Sequence, residues 1–208
     1  MVEIFKNISM IEVEKKFILS EEDRKRLTKG AQFLGERVFT DVYFDTQSFS
    51  LTKKEEWLRS REGKFELKIS LGERIDGSVD RYDEIEDEEK IREFINLAPS
   101  GNFSDALKKA GYSPFCFCKT ARRKYKKNSF ILDLDVVDFQ DFSYNIAEIE
   151  LMVKDKIEIE KAIEKIMLFA KEQDLAITPV RGKVIEYLKQ KRPEHYQSLV
   201  KAGVVKDF

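Results

Sequence analysis

The sequence is poor in the residues that build histidine-rich metal sites and disulfide frameworks. Its 208 residues include one histidine, His195, and two cysteines, Cys116 and Cys118. A single histidine excludes a metal site built from several histidines and argues against a Ser-His-Asp triad. Because the neighbours of His195 are polar, we expect it on the surface of a C-terminal helix. The cysteines are one residue apart on a predicted strand, so their Cβ atoms lie roughly 6–7 Å apart, too far for a mutual disulfide. We therefore expect reduced thiols.

Long apolar runs, an excess of one charge, repeats and linkers are also missing. No apolar run reaches the roughly 18 residues of a membrane span, and we expect no membrane partner. The chain has 38 Lys and Arg against 39 Asp and Glu, a formal net charge of −1, whereas a nucleic-acid-binding protein usually carries a basic excess. Few cysteines and no signal-like N-terminus favour the reducing cytoplasm. We expect a single domain over residues 1–208 and a monomer.

Charged and aromatic residues are abundant instead. Charged residues make up 37% of the chain and hydrophobic residues 42%, with 16 phenylalanines. This composition supplies enough apolar side chains for a packed core and differs from that of disordered proteins. Where so many balanced charges lie is therefore the main question.

Periodicity predicts a chain of strands, a helical insert, more strands and then helices. We predict strands over residues 9–18, 36–45, 57–61, 65–71, 81–85, 115–126, 129–137 and 146–153, with a hairpin turn around Glu62, Gly63 and Lys64. We predict a helix that is capped by Ser20 and ends near Gly30, and helices over 88–97, 105–110 (capped by Ser104), 158–172, 183–191 and 194–201. This order predicts an α+β fold with a mainly antiparallel sheet.

Charged residues recur on one face of most predicted strands. Side chains two residues apart on a strand point to the same face. The shared faces are Glu12, Glu14 and Lys16; Trp57, Arg59 and Arg61; Glu66 and Lys68; Arg122 and Lys124; Asp133 and Asp135; and Glu148 and Glu150. Taken alone, this alternation is most simply explained by an antiparallel sheet with one solvated face.

Two features favour a ligand site over a solvated face. On three strands, two carboxylates stand two residues apart, where they repel each other unless a cation lies between them. Trp57 shares its face with Arg59 and Arg61, and its ring can stack on a flat ligand, although it can equally be a packing residue. The basic side chains suit a polyanion, and the carboxylates suit Mg²⁺ or Mn²⁺. Acids and bases on one surface therefore predict a wet cavity for a metal-chelated phosphate compound.

Several segments resemble those of the CYTH superfamily, the triphosphate tunnel metalloenzymes, in the same order along the chain. The first, Glu12-Val13-Glu14-Lys15-Lys16, looks like the E-x-E-x-K signature of that family. The others are Asp41-Val42-Tyr43-Phe44-Asp45-Thr46, Trp57-Leu58-Arg59-Ser60-Arg61, Phe65-Glu66-Leu67-Lys68, Asp133-Leu134-Asp135, Ala147-Glu148-Ile149-Glu150 and Gly182-Lys183-Val184-Ile185. Residues 12–17, 57–59 and 187–197 make the chain most similar to the animal-type thiamine triphosphatases within this superfamily.

The resemblance implies a closed eight-stranded antiparallel β-tunnel, a barrel with the charged faces inside and the helices packed outside. The implied ligands of a divalent metal are Glu12, Glu14, Asp133, Glu148 and Glu150. The implied phosphate-binding residues are Lys16, Arg59, Arg61, Lys68, Arg122 and Lys183, to which the strand pattern adds Lys124; Trp57 would pack against the thiamine rings. The implied catalytic residues are Tyr43, Lys68 and Lys16, with Tyr43 and Lys68 as a pair suited to assist the leaving group.

The implied activity is hydrolysis of thiamine triphosphate to thiamine diphosphate and phosphate, a reaction of thiamine metabolism that would use Mg²⁺ or, as a second choice, Mn²⁺. An enzyme of the same fold that acts on inorganic triphosphate, a nucleoside triphosphate or an RNA end is the first alternative. A polyphosphate- or nucleotide-binding module without turnover is an alternative of another class. The basic run at residues 122–127 is not expected to bind nucleic acid, because strand alternation divides it between two faces.

Overall fold

Antiparallel strands close into a barrel, which confirms the predicted fold class. The computed structural model describes residues 10–72 and 79–206. Its strands are β1 (Ile11–Phe17), β2 (Gln32–Thr46), β3 (Glu56–Arg61), β4 (Lys64–Ser70), β5 (Val79–Ile85), β6 (Tyr112–Lys127), β7 (Phe130–Asp138) and β8 (Ser143–Val153). They follow the order β1-β5-β4-β3-β2-β6-β7-β8 around the barrel, and β8 pairs with β1 to close the ring.

Helices cover parts of the outer surface and one end of this barrel. They are α1 (Glu21–Thr28), α2 (Glu88–Phe94), α3 (Phe103–Lys109), α4 (Ile159–Glu172), α5 (Lys183–Lys191) and α6 (Pro193–Lys201). Within the described residues, none of these helices combines the length and the apolar character needed to cross a bilayer.

The helix α4 covers the apolar outer face of β1 and its neighbours. On β1 the alternate residues Ile11, Val13 and Phe17 are buried in one cluster with the apolar face of α4, which includes Ile166 and Phe169. Each such side chain contributes about 1.5–3 kcal/mol when it is removed from water. The packing therefore fixes which face of β1 points outward, and the other face, with Glu12, Glu14 and Lys16, must point into the barrel.

The helix α5 lies across one end of the barrel. Lys183, its first residue, contacts Asp41 near the end of β2, and the hydroxyl of Tyr144 at the start of β8 donates to the carbonyl of Arg181 just before the helix. Apolar residues of α5 and α6 pack on the inner face of β6, where Cys116 and Cys118 are buried as free thiols. This cluster packs α5 and α6 against the barrel through apolar side chains.

The predicted hairpin joins β3 and β4 through a two-residue turn. Arg61 pairs directly with Lys64, so only Glu62 and Gly63 form the loop. Both have positive φ, 50° for Glu62 and 87° for Gly63. Two successive residues with positive φ give the turn whose twist matches that of the flanking strands, and glycine adopts this conformation at no steric cost.

Most element boundaries differ from the predicted ones by a few residues, and one cap was wrong. The helix α3 is capped by Asn102, whose Oδ1 accepts from the backbone N–H of Asp105 at 3.0 Å, and not by Ser104. Starting the helix earlier lets Phe103 turn into the core. The Ser20 cap of α1 is confirmed, as a capping box with Asp23. The predicted start of the first strand at residue 9 lies outside the described residues.

The expectation that His195 lies on the surface was wrong. Its side chain is 3% exposed, and its ring stacks on Phe49 at a centroid distance of 3.9 Å. Its Nε2 lies 2.7 Å from Oγ1 of Thr52, and that hydroxyl lies 2.7 Å from a carboxylate oxygen of Asp45. Because the hydroxyl gives its proton to Asp45, Nε2 of His195 is the donor to Thr52. Polar sequence neighbours concealed the buried face of α6, which His195 shares with Leu199 one turn later.

The burial of His195 predicts a loss of stability in mild acid. Burial, assisted by the positive charges of Arg192 and Lys53, lowers the pKa of His195 from 6.5 to about 4. The unfolded chain therefore binds more protons than the folded chain between these two values, and stability falls as the pH drops through that window. We expect a loss of about 2 kcal/mol from this residue between pH 7 and pH 5, measured by urea unfolding.

The matched control for this prediction is His195→Gln, which keeps an amide donor for Thr52 and does not titrate. The free energy of unfolding of the wild type should fall relative to that of the variant below about pH 6.5. Parallel pH profiles for the two proteins would contradict the assignment.

Candidate active site

The barrel encloses a charged cavity of about 250 Å³. Strand alternation sends side chains into it from every strand except β7 among the described residues, and the first turn of α5 completes its wall. The lining residues are Glu12, Glu14, Lys16, Tyr43, Trp57, Arg59, Arg61, Lys68, Asp80, Tyr82, Glu84, Arg122, Lys124, Glu148, Glu150, Gly182, Lys183, Val184 and Ile185. Acids and bases from distant parts of the chain therefore share one enclosed space.

All but one of the predicted site residues line this cavity. The exception is Asp133 of β7, which is completely buried and stands beside Lys124 and Glu148 in the strand ladders. There its carboxylate is paired with Arg122 and, at 3.1 Å, with Lys124. Asp133 thus holds two cavity cations, and its carboxylate also lies within 4.8 Å of those of Glu148 and Glu150.

The sequence reasoning missed the contribution of β5. Asp80, Tyr82 and Glu84 of this strand point into the cavity at alternate positions. The predicted strand began two residues late, at Arg81, and its alternation was not followed. Alternation within the predicted strand already groups Tyr82 and Glu84 on one face, and starting the strand two residues earlier adds Asp80 to that face.

Two cavity lysines, Lys16 of β1 and Lys68 of β4, are each bound between two carboxylates. Nζ of Lys16 contacts Glu14 and lies 2.6 Å from Asp80. Nζ of Lys68 contacts Glu12 and lies 2.6 Å from Glu84. Burial opposes the charge of Lys16, but Asp80 and Glu14 outweigh it and raise the pKa of Lys16 well above 10.5. Both lysines therefore stay charged at neutral pH.

Arg122 is the centre of a second ion-pair network, on the β6–β8 side. Its guanidinium forms a bidentate pair with Asp135, with both N···O distances 2.7 Å, and also contacts Asp133. Glu148 lies 3.3 Å from the same group. Bidentate pairing fixes the orientation of the guanidinium plane. Arg122 is consequently held with one edge towards the cavity.

Among residues 10–72 and 79–206, two groups of carboxylates are close enough to hold a metal ion. Glu12, Glu14 and Glu150 form one group, and Asp133, Glu148 and Glu150 form the other; in each, one oxygen per residue lies within 4.8 Å of the others. Donor sets made only of carboxylate oxygens fit Mg²⁺ or Mn²⁺ and do not fit soft metals.

The protonation behaviour of these carboxyls also fits a cation. Burial, together with the nearby charges of Glu148 and Glu12, raises the pKa of Glu14 to about 8 despite Lys16. Burial and the charge of Asp133 raise the pKa of Glu150. Burial acts in the same direction on Glu148, but Lys16 and Arg122 prevail and lower its pKa to about 2. Crowded carboxyls that resist ionisation are stabilised in the charged form by a divalent ion.

The two aromatic residues predicted for the site line the same cavity. Trp57 is half-buried and packs against the apolar cluster of α5 and α6. Tyr43 is buried, and burial raises its pKa, with the charge of Lys183 acting against this shift and that of Asp41 adding to it. Lys68, its suggested catalytic partner, is directly opposite Trp57 in the β3–β4 ladder. The predicted pair of Tyr43 and Lys68 is thus separated by β3, with each residue facing the same space.

The carboxylate groups predict that a divalent ion stabilises the fold. Thermal unfolding in millimolar MgCl₂, compared with NaCl of equal ionic strength, should show a Tm raised by several degrees, because an ion that binds only the folded chain shifts the equilibrium. Glu14→Gln and Glu150→Gln should abolish most of this rise.

The control for this prediction is Glu66→Gln. Glu66 is paired with Arg59 at 2.5 Å and belongs to neither carboxylate group. Its variant should keep the full Mg²⁺ effect. An equal loss in all three variants would show that the ion acts elsewhere.

Comparisons with known proteins agree with this geometry. The CYTH domain family model matches residues 10–176. The thiamine-triphosphatases of Homo sapiens and Macaca fascicularis are each 30% identical to the chain, over 93% of this chain and 91% of the relative. Among solved structures, the PH1819 protein of Pyrococcus horikoshii OT3 has a TM-score of 0.63 at 23% identity and covers 87% of this chain and 99% of its own.

A second solved structure has the same fold. The Hippeastrum protein HpAC1, reported to have a dominant triphosphatase activity, has a TM-score of 0.55 at 16% identity. It covers 87% of this chain and 95% of its own. At such identities the two solved structures show that the fold is shared.

Proposed function

The chain belongs to the CYTH domain family, and on that premise we propose that it hydrolyses organic triphosphates, with thiamine triphosphate as the first substrate and thiamine diphosphate and phosphate as products. The observation that carries this proposal is the convergence of seven basic side chains and two carboxylate groups on one cavity. A polyphosphate chelated to a divalent ion carries the charges that complement both sets. We take residues 1–208 as one domain that works as a monomer in the cytoplasm.

Thiamine is the preferred organic group because of Trp57 and the similarity to thiamine-triphosphatases. Trp57 offers a large aromatic face at the cavity wall, on the same strand as Arg59 and Arg61. A ring in this position can stack on a flat heterocycle while the arginines hold the phosphates. The thiamine-triphosphatases of Homo sapiens and Macaca fascicularis match 93% of the chain, so the similarity is not confined to one part of the barrel.

In the proposed reaction, water attacks the terminal phosphorus and the bond to the bridging oxygen of the leaving diphosphate breaks. Arg59, Arg122 and Lys183 would orient the triphosphate and neutralise the charge that spreads over its oxygens. Tyr43 or Lys68 would supply a proton to the leaving oxygen, and the attacking water loses one proton to solvent or to a cavity carboxylate. Mg²⁺ or Mn²⁺ held by the two carboxylate groups would further stabilise charge on the phosphates when bound.

Other substrates of the same chemistry would use the same cavity. Inorganic triphosphate, a nucleoside triphosphate or an RNA 5′ end presents the same phosphates without thiamine. A module that binds polyphosphate and does not turn it over would also need the cations, Lys68 among them, but it would not need Tyr43 as a proton donor.

The proposed activity predicts release of phosphate from thiamine triphosphate. With Mg²⁺, kcat/KM for thiamine triphosphate should exceed that for ATP and for inorganic triphosphate. Glu12→Gln together with Glu14→Gln should lower turnover by at least about 100-fold, because these carboxylates would no longer hold the divalent ion that would stabilise charge on the phosphates. Binding of thiamine triphosphate without release of phosphate would contradict the proposed hydrolysis and support the alternative of a binding module without turnover.

A second prediction concerns the choice of substrate. Trp57→Ala should raise the KM for thiamine triphosphate by about 10-fold, equivalent to a stacking contact of roughly 1.4 kcal/mol, and should change the KM for inorganic triphosphate little. Trp57→Phe should restore part of the loss. Equal increases for the two substrates would remove the role of Trp57 in recognition.

A further inference from the structure

Asp41 lies beneath the wall of the cavity and binds two of its cations. The Asp41 side chain is completely buried on β2. Its Oδ1 accepts from Nε of Arg61 at 2.8 Å, and its Oδ2 accepts from Nη2 of Arg61 at 3.2 Å and from Nζ of Lys183 at 2.7 Å. Arg61 ends β3 and Lys183 begins α5, so one carboxylate ties together two elements that are far apart in sequence.

An aromatic ring on the same strand supports the same cations. Phe39, two residues before Asp41, is 3% exposed. The guanidinium carbon of Arg61 lies 4.1 Å from its ring centroid and Nζ of Lys183 lies 5.5 Å from it. Cations over an aromatic face are attracted to it. Asp41 and Phe39 therefore each contact both Arg61 and Lys183, and together they hold these two cations next to each other.

This anchor differs from the other carboxylates that pair with cavity cations. Glu12, Glu14, Glu84 and Glu148 line the cavity themselves, so a ligand or a metal ion can compete for them. Asp41 is shielded from the cavity by Arg61 and Lys183. A ligand could therefore reach its carboxylate only by displacing these two cations. Long basic side chains have many rotamers, and a fixed buried partner limits them before the ligand arrives.

We propose that Asp41 is a positioning residue that fixes Arg61 and Lys183 as a pair aimed at the same phosphate group. This inference deepens the proposed function, on which it rests for the identity of the anion. If Asp41 only neutralised charge, its removal would strengthen anion binding instead of weakening it. The cavity would be more basic, and a polyanion would bind more tightly.

The test variant is Asp41→Asn, and the matched control is Asp45→Asn. The two aspartates are buried on the same face of β2, four residues apart. Asp45 accepts from backbone N–H groups of Leu51 and Thr52 and contacts no cavity cation by its described hydrogen bonds. In Asp41→Asn, the amide cannot satisfy both cations, and an NH₂ group faces one of them. Both variants should lose stability, but only Asp41→Asn should lose anion binding.

The measurement is the affinity for inorganic triphosphate by calorimetry, alongside phosphate release. We expect Asp41→Asn to weaken binding and kcat/KM roughly 10- to 100-fold, as misplaced binding groups do, and Asp45→Asn to change them less than about threefold. Tighter binding by Asp41→Asn, or equal losses in the two variants, would overturn the proposal.

A double-mutant cycle separates positioning from a general loss of stability. In a Lys183→Met background, Asp41→Asn should weaken triphosphate binding much less than it does in the wild type. One of the two cations that Asp41 positions is already absent from that background. Additive losses would overturn the proposal. If the wild type binds triphosphate and releases no phosphate, the proposed hydrolysis is wrong. The double-mutant cycle measured by affinity then still tests whether Asp41 positions Lys183. A wild type that binds no triphosphate would overturn both.

Discussion

The interior of this barrel depends on mutual compensation of buried charges. An isolated charge inside a protein is costly, and losing one partner of a buried pair typically costs about 3–5 kcal/mol. Here Lys16, Lys68 and Arg122 each contact two or more carboxylates, so each charge is offset from several directions. The barrel makes this arrangement possible, because alternate residues of every strand converge on a single axis.

The alternation of side chains along each strand also separates the residues that pack in the outer core from the residues that line the cavity. On β1 the outward residues join the core under α4, and the inward residues face the cavity. The helix α5 serves both purposes: Leu188 packs in the apolar cluster, whereas Lys183 lines the cavity. Substitutions on the outer faces should therefore affect stability first, and substitutions on the inner faces should affect binding first.

Alternation in the sequence predicted the strands and grouped most of the charged cavity residues on shared strand faces, but it did not show that these faces point inward. It could not show closure of the sheet, because a solvated open sheet has the same pattern, and closure was expected only from the family resemblance. It also failed where long-range packing decides the environment. His195 has polar neighbours along the chain, yet it is buried by Phe49 from the distant β2–β3 connection. Asp41 was visible as part of a motif, but its role as a shared anchor depends on Lys183, 142 residues away.

A structure determined with Mg²⁺ and a non-hydrolysable triphosphate analogue is the most direct test of the central claim, that one enclosed cavity joins these acids and bases around a chelated polyphosphate. The phosphates should lie inside the barrel, in contact with Arg59 on one side and Arg122 on the other, with the metal ion at the carboxylates of Glu12, Glu14 and Glu150. An analogue bound on the outer surface, with Arg59 and Arg122 still paired only to their carboxylates, would contradict it.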